Sequence, residues 1–190
     1  MKIRMSWLAL ALLLLLPAVA SAQRASGVGF EMGFRTFTPA DARISETAST
    51  FRLNIQADPN LQLFVHREHA AFSFKNTGAV ATAVPGSSDI EGIGLGYTLK
   101  DTFRLELMLG HGVTFTNNGN LASSDPVTDL GIVYLYKTQS GAFIDAGLIL
   151  RTHALSGQVA GNAMGGGGTS IKPVSDLGGT ILHLGIGLAL

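Results

Sequence analysis

The chain ends in His183-Leu-Gly-Ile-Gly-Leu-Ala-Leu190. Side chains alternate across a β-strand with period two, so Leu184, Ile186, Leu188 and Leu190 share one face. His183, Gly185, Gly187 and Ala189 share the other. In water, a strand edge beside a wholly apolar face templates aggregation. The same segment is stable where both edges are paired in a closed sheet and the apolar face meets hydrocarbon. The alternation therefore predicts a strand that closes a barrel.

The other end of the chain fits an exported protein. Residues 1–22 open with Lys2 and Arg4, run through the apolar stretch Trp7 to Leu16, and close on Ala20-Ser21-Ala22. This is the charged start, apolar middle and small-residue cleavage site of a secretory signal peptide. The run is shorter than the roughly 20 apolar residues that cross a bilayer as a helix, and Pro17 ends it. Residues 1–22 are thus expected to be cleaved, leaving 23–190 as one barrel domain. The chain has no cysteine, so neither a lipid-modified cysteine nor a disulfide framework is available to it.

Taking Lys2 and Arg4 from the 13 basic residues leaves 11 against 13 acidic, a net charge of −2 after cleavage. Nucleic-acid binding would need a clustered basic surplus, which is absent. Charged residues make up 14% of the chain, against about 25% in an ordinary soluble domain. With 24 glycines, this composition suits a barrel that is apolar outside and narrow inside.

Period-two alternation recurs eight times. It predicts strands over about 27–37, 49–57, 61–75, 89–99, 103–115, 128–137, 142–153 and 177–190. The fifth is the clearest: Phe103, Leu105, Leu107, Leu109, Val113 and Phe115 oppose Arg104, Glu106, Met108, Gly110, Gly112 and Thr114. Over its 12 steps it extends about 40 Å, and a tilt of about 40° reduces that to about 30 Å of height, the thickness of the hydrocarbon layer. In the third segment the apolar parity shifts between Leu61/Leu63/Val65 and Phe72/Phe74, which predicts a bulge near His69 to Ala71. In the sixth, Val133 and Leu135 blur the inner face.

The intervening segments alternate long and short: 38–48, 58–60, 76–88, 100–102, 116–127, 138–141 and 154–176. Short turns on one side and longer loops on the other put both termini on the short-turn side, the periplasmic side of an outer-membrane barrel. A soluble barrel with an apolar interior has the same alternation turned inside out. The polar face argues against it, because that face is mostly glycine with isolated charges, where a wetted surface would carry many Lys, Glu, Thr and Gln.

On these residues the chain resembles the small eight-stranded bacterial outer-membrane proteins, the group containing the OmpA transmembrane domain and OmpX. The resemblance covers nearly all of residues 24–190 in pattern. His183, Gly185, Leu188 and Leu190 also resemble the C-terminal signal that recruits such barrels for insertion, with Leu190 where an aromatic residue is usual. The resemblance implies an all-β, eight-stranded antiparallel up-and-down transmembrane barrel. It further implies residence in the bacterial outer membrane, with lipid and the barrel-insertion machinery as partners.

The chemistry-bearing residues are few. Strand parity turns Glu31, Arg35, Arg52, Arg104, Glu106, Asp145 and Arg151 into the lumen, four basic against three acidic. Confined charges must pair, so a salt-bridged plug is expected. His66 and His69 point to opposite faces and cannot share a metal. His111 interrupts an outward face, and His183 faces inward. No carboxylate or cysteine lies at metal-ligand spacing from these histidines, so no metal or cofactor is expected. Lipid A hydrolases built on such barrels place a His and a Ser two apart on one strand face. Here His153 and Ser156 stand three apart, on opposite faces. The run Gly165 to Gly168 lacks the Lys-Ser/Thr of a phosphate loop.

The sequence therefore predicts a non-enzymatic outer-membrane barrel with a closed lumen and four extracellular loops, in a structural, adhesive or protective role. The loop ligand cannot be read from the sequence. A narrow channel for small or apolar solutes is the alternative, and a lipid A-modifying enzyme a more distant one.

Overall fold

A computed structural model describes residues 27–41, 44–74, 86–115, 121–139, 141–159 and 174–189. The expected signal peptide, most of the segments 76–88 and 154–176, and Leu190 lie outside these residues. Ten strands are described: β1 Val28–Pro39, β2 Ile44–Gln56, β3 Leu61–Phe74, β4 Gly86–Leu99, β5 Phe103–Phe115, β6 Leu121–Lys137, β7 Ala142–Thr152, β8 Ala154–Val159, β9 Val174–Asp176 and β10 Gly179–Ala189. Eight of them close in the order β1-β10-β7-β6-β5-β4-β3-β2, each neighbour antiparallel. The remaining pair, β8 and β9, forms a two-stranded extension where β7 and β10 leave the barrel.

The orientation is apolar outside and polar inside. On β10, Leu184 is 57% and Ile186 63% exposed, whereas the alternating His183 is fully buried. Met32 and Phe34 on β1, Ile93 and Leu95 on β4, Leu107 and Leu109 on β5, Leu130 and Ile132 on β6, and Leu148 and Leu150 on β7 continue the exposed band. No described helix is long and apolar enough to cross a membrane. Near the 100–102 turn, Tyr97, Phe103, Tyr134 and Tyr136 are exposed rings, and Phe103 meets Tyr134 edge to face at 5.6 Å. The hydroxyls of the three tyrosines suit the level where hydrocarbon gives way to head groups. Towards the other end the outward residues turn polar: Ser45, Thr47 and Ser49 on β2, and Arg67 and His69 on β3.

Three expectations need correction. β3 carries no bulge: its register to β2 and β4 runs unbroken from Gln62 to Phe72. Phe64 and Phe72 are inward residues on the same parity as Gln62, His66 and Glu68, so their apolar character does not mark the lipid face. Secondly, much of the segment 38–48 is strand, with β1 running to Pro39 and β2 starting at Ile44. Thirdly, β6 starts at Leu121, inside the segment expected to be a loop over 116–127. In both extensions the alternation continues with Ser, Thr and Asp, which apolar periodicity alone does not register.

The short turns sit at the end that also holds Gly27 and Ala189. Between β4 and β5, Lys100 and Asp101 both adopt left-handed conformations (φ 49° and 58°), and the Thr102 N–H donates to the Leu99 carbonyl at 3.1 Å. Two consecutive positive φ angles give the turn whose twist matches that of paired strands. At the opposite, loop end, Ile44, Phe72, Leu155 and Leu177 bury one another and cover the lumen.

Candidate functional site

Alternation delivers one inward side chain every second residue, and eight strands enclose only enough space for those side chains. Two layers of arginine–carboxylate pairs cross the lumen, beside a buried apolar cluster of Phe64, Ile90, Met108 and Val127. In the layer nearer the loop end, Arg35 Nη1 donates to Glu68 Oε2 at 2.6 Å and to Asp129 Oδ2 at 3.0 Å. Arg151 reaches the same two acids: Nη1 to Glu68 Oε1 at 2.5 Å, Nε to Asp129 Oδ1 at 2.7 Å and Nη2 to Asp129 Oδ2 at 2.8 Å. Its guanidinium also lies over Phe37, 5.3 Å from the ring centre.

In the layer nearer the turns, Arg52 Nη1 donates to Glu106 Oε1 at 2.8 Å and lies 3.5 Å from Glu31 Oε1. Arg104 holds three acids, with Nε on Glu106 at 2.5 Å and Nη2 on Glu31 at 3.2 Å and Asp145 at 3.0 Å. Arg52 also stacks over Phe64, 4.6 Å from the ring centre.

His66 joins the layers. Arg52 Nε–H donates to His66 Nδ1 at 3.2 Å, so that nitrogen is unprotonated. The proton then sits on Nε2, 3.2 Å from Glu68 Oε2. One neutral imidazole thus accepts from the turn-side layer and donates to the loop-side layer.

All seven lumen residues expected from the sequence (Glu31, Arg35, Arg52, Arg104, Glu106, Asp145 and Arg151) are buried in these layers. The expected surplus of base is corrected, because Glu68 and Asp129 raise the acids to five against four arginines. Glu68 was hidden by the parity shift attributed to β3, and Asp129 by the apolar Val133 and Leu135 on the inner face of β6. Further inward polar residues went unread: Glu46, beyond the loop-side layer, and Asp125, near the start of β6.

Among the histidines, His69 is exposed and bonds Asp89 at 2.7 Å, on the opposite face from buried His66. His111 meets Ser124 Oγ on the outer surface at 2.7 Å. The expectation that no carboxylate gathers with a histidine is corrected. Barrel closure brings Glu31 of β1, His183 of β10 and Asp145 of β7 together, 114 and 38 residues apart along the chain from Glu31 to Asp145 to His183.

His153 is buried and Ser156 exposed, on alternating faces. Ser156 is instead tied to β6: its N–H donates to Asp125 Oδ1 at 3.0 Å, and its Oγ lies 3.3 Å from Ser123 Oγ, whose hydroxyl also bonds Asp125. These bonds fasten the β8 extension to the barrel and form no nucleophile–base pair.

At the turn end a vestibule of about 340 Å³ is lined by Asn54, Gln56, Gln62, Thr98, Leu135 and Lys137, with Arg104 of the turn-side layer in its wall. His183 and Gly185 of the C-terminal strand face the lumen, and Leu188 is half-buried.

No protein-family model and no curated protein sequence matches the chain. Solved structures do. The outer membrane protein OprG from Pseudomonas aeruginosa aligns with a TM-score of 0.59 at 13% identity, over 88% of this chain and 97% of that one. Neisserial surface protein A aligns with a TM-score of 0.52 at 8% identity, over 86% and 96%. At such identity the likeness is one of architecture. The chain has the fold of the small eight-stranded outer-membrane β-barrels, with an apolar exterior and a buried, salt-bridged interior.

Proposed function

We propose that the protein is an integral, non-enzymatic protein of the bacterial outer membrane, whose barrel is a closed anchor for the segments at its loop end. On this reading residues 1–22 are removed on export and both termini face the periplasm. Residues His183, Gly185, Leu188 and Leu190 act in recruitment to the insertion machinery. The role is then structural, adhesive or protective, and the specificity lies in the loop-end segments, since binding residues concentrate on loops carried by a rigid scaffold.

The observation that supports it best is the pair of arginine–carboxylate layers across the lumen. A water-filled pore would hydrate these groups, whereas here Arg35, Arg52, Arg104 and Arg151 are at most 4% exposed. Above the layers the Ile44–Phe72–Leu155–Leu177 cluster adds an apolar lid.

The vestibule is the feature that favours the second reading, a narrow channel. It reaches Arg104, which is engaged by three carboxylates, so a solute would have to break that layer to pass. The test of the first reading is fractionation of expressing cells, followed by electrophoresis of unheated and boiled samples. Recovery in the outer membrane with a heat-dependent mobility shift is expected, and recovery as a soluble periplasmic protein would overturn it.

A further inference from the structure

We propose that Glu31, Asp145 and His183 form a divalent metal site in the turn-side half of the lumen, suited to zinc. The register builds the site around Gly185, which pairs with Gly33 on one side and with Asp145 on the other. His183 is the next inward residue of β10, and Glu31 the inward residue of β1 beside Gly33. His183 Nε2 lies 3.2 Å from Glu31 Oε1 and 3.3 Å from Asp145 Oδ1, and all three ligand atoms fall within 4.8 Å of one another. Zinc at about 2.0–2.1 Å from N and O ligands in a tetrahedron keeps them about 3.3 Å apart.

Three observations point to a ligand. Glu31 Oε1, Asp145 Oδ1 and His183 Nε2 are buried and converge, and none of them completes a well-aligned hydrogen bond, with Arg52 Nη1 standing 3.5 Å from Glu31 Oε1. The other oxygen of each acid, Glu31 Oε2 and Asp145 Oδ2, is held by Arg104 Nη2. Arg104 thus fixes both carboxylates from behind, as the outer partners of metal ligands do, and leaves one oxygen of each aimed at the imidazole. Gly185 supplies the space: a Cβ there would stand 2.2 Å from Asp145 Oδ1 and 3.0 Å from His183 Nε2.

Charge argues in the same direction. This layer sets Arg52 and Arg104 against Glu31, Glu106 and Asp145, so that with a neutral imidazole at His183 one negative charge stands in excess, which a bound cation offsets. Uncompensated burial of that kind is costly. One imidazole nitrogen with two carboxylate oxygens and an open fourth position is a donor set that zinc accepts with a bound water. The vestibule at the turn end reaches Arg104, the residue that holds both carboxylates.

The test is metal analysis of the full-length folded barrel, treated with chelator, exposed to zinc sulfate and dialysed. About one zinc per chain is expected, with an X-ray absorption spectrum of N/O ligands at about 2.0–2.1 Å. His183→Gln should bring the bound zinc to none while the heat-dependent mobility shift persists. Should that variant fail to fold, Asp145→Asn provides the same comparison. Zinc binding that is absent from the parent protein, or equal in parent and folded variants, would overturn the proposal and leave the three residues sharing a proton only.

Discussion

The ring of Phe64 occupies the space that Gly94 leaves on the neighbouring strand: a Cβ at 94 would stand 2.2 Å from the ring Cζ. The same ring carries the Arg52 guanidinium on its face. A backbone position without a side chain therefore sets the place of a ring, and the ring sets the place of a charge. Gly94→Ala should cost about 1–3 kcal/mol, the usual range for an overpacked interior. In Gly94→Ala/Phe64→Leu much of that loss should return. Urea unfolding of the four members of the cycle in lipid vesicles measures the coupling, and additive losses would refute the contact.

Arg151 serves Glu68 and Asp129 together, through four short N–H···O contacts. Arg151→Met leaves Arg35 as the one arginine on both acids, with His66 still bonded to Glu68. Removing one partner of a buried pair costs about 3–5 kcal/mol, and unfolding in vesicles should register a loss of that size. Adding Asp129→Asn should restore part of it by removing the surplus charge. A loss below about 1 kcal/mol would mean that water reaches this layer.

The turn at Lys100 and Asp101 holds two non-glycine residues in left-handed conformations. Left-handed backbone costs roughly 1–2 kcal/mol for an ordinary residue, and Asn-Gly is the pair best suited to this turn. Lys100→Asn/Asp101→Gly should raise stability by about 1 kcal/mol. An unchanged or lower unfolding midpoint would argue against the turn geometry.

His153 lies between β7 and β8, beyond the apolar band. Burial, assisted by the charge of Arg151, pushes its pKa down to about 4, against the opposing pull of Asp125. The folded protein therefore keeps this imidazole neutral where the unfolded chain, titrating near 6.5, takes up a proton. Its contribution to stability is intact above pH 6.5 and falls away as pH drops towards 4, the loss reaching about 2 kcal/mol by pH 5. Amide exchange at Leu155 and Leu177, corrected for intrinsic rates, should accelerate between pH 7 and pH 5, and His153→Gln should abolish the acceleration. Equal pH dependence in both proteins would contradict the assignment.

The outer face was legible because it is made of large apolar residues at period two, as in Phe103, Leu105, Leu107 and Leu109, which a barrel in lipid leaves exposed. Charges interspersed with glycine, such as Glu31 and Asp145, could be assigned inward on the same parity. The inner face was harder to read where it is itself apolar. Phe64, Phe72, Val133 and Leu135 fill the lumen and imitate the lipid face, and they concealed Glu68 and Asp129. The gathering of Glu31, Asp145 and His183 depends on the last strand pairing with the first, a contact between opposite ends of the chain that local spacing does not encode.

Planar-bilayer recordings on protein whose unheated mobility marks it as folded show whether the arginine–carboxylate layers seal the lumen. No steady conductance is expected from the parent protein at neutral pH, with ion flow appearing only in variants such as Arg104→Ala that dismantle the turn-side layer. A large, steady pore in the parent protein would contradict that seal.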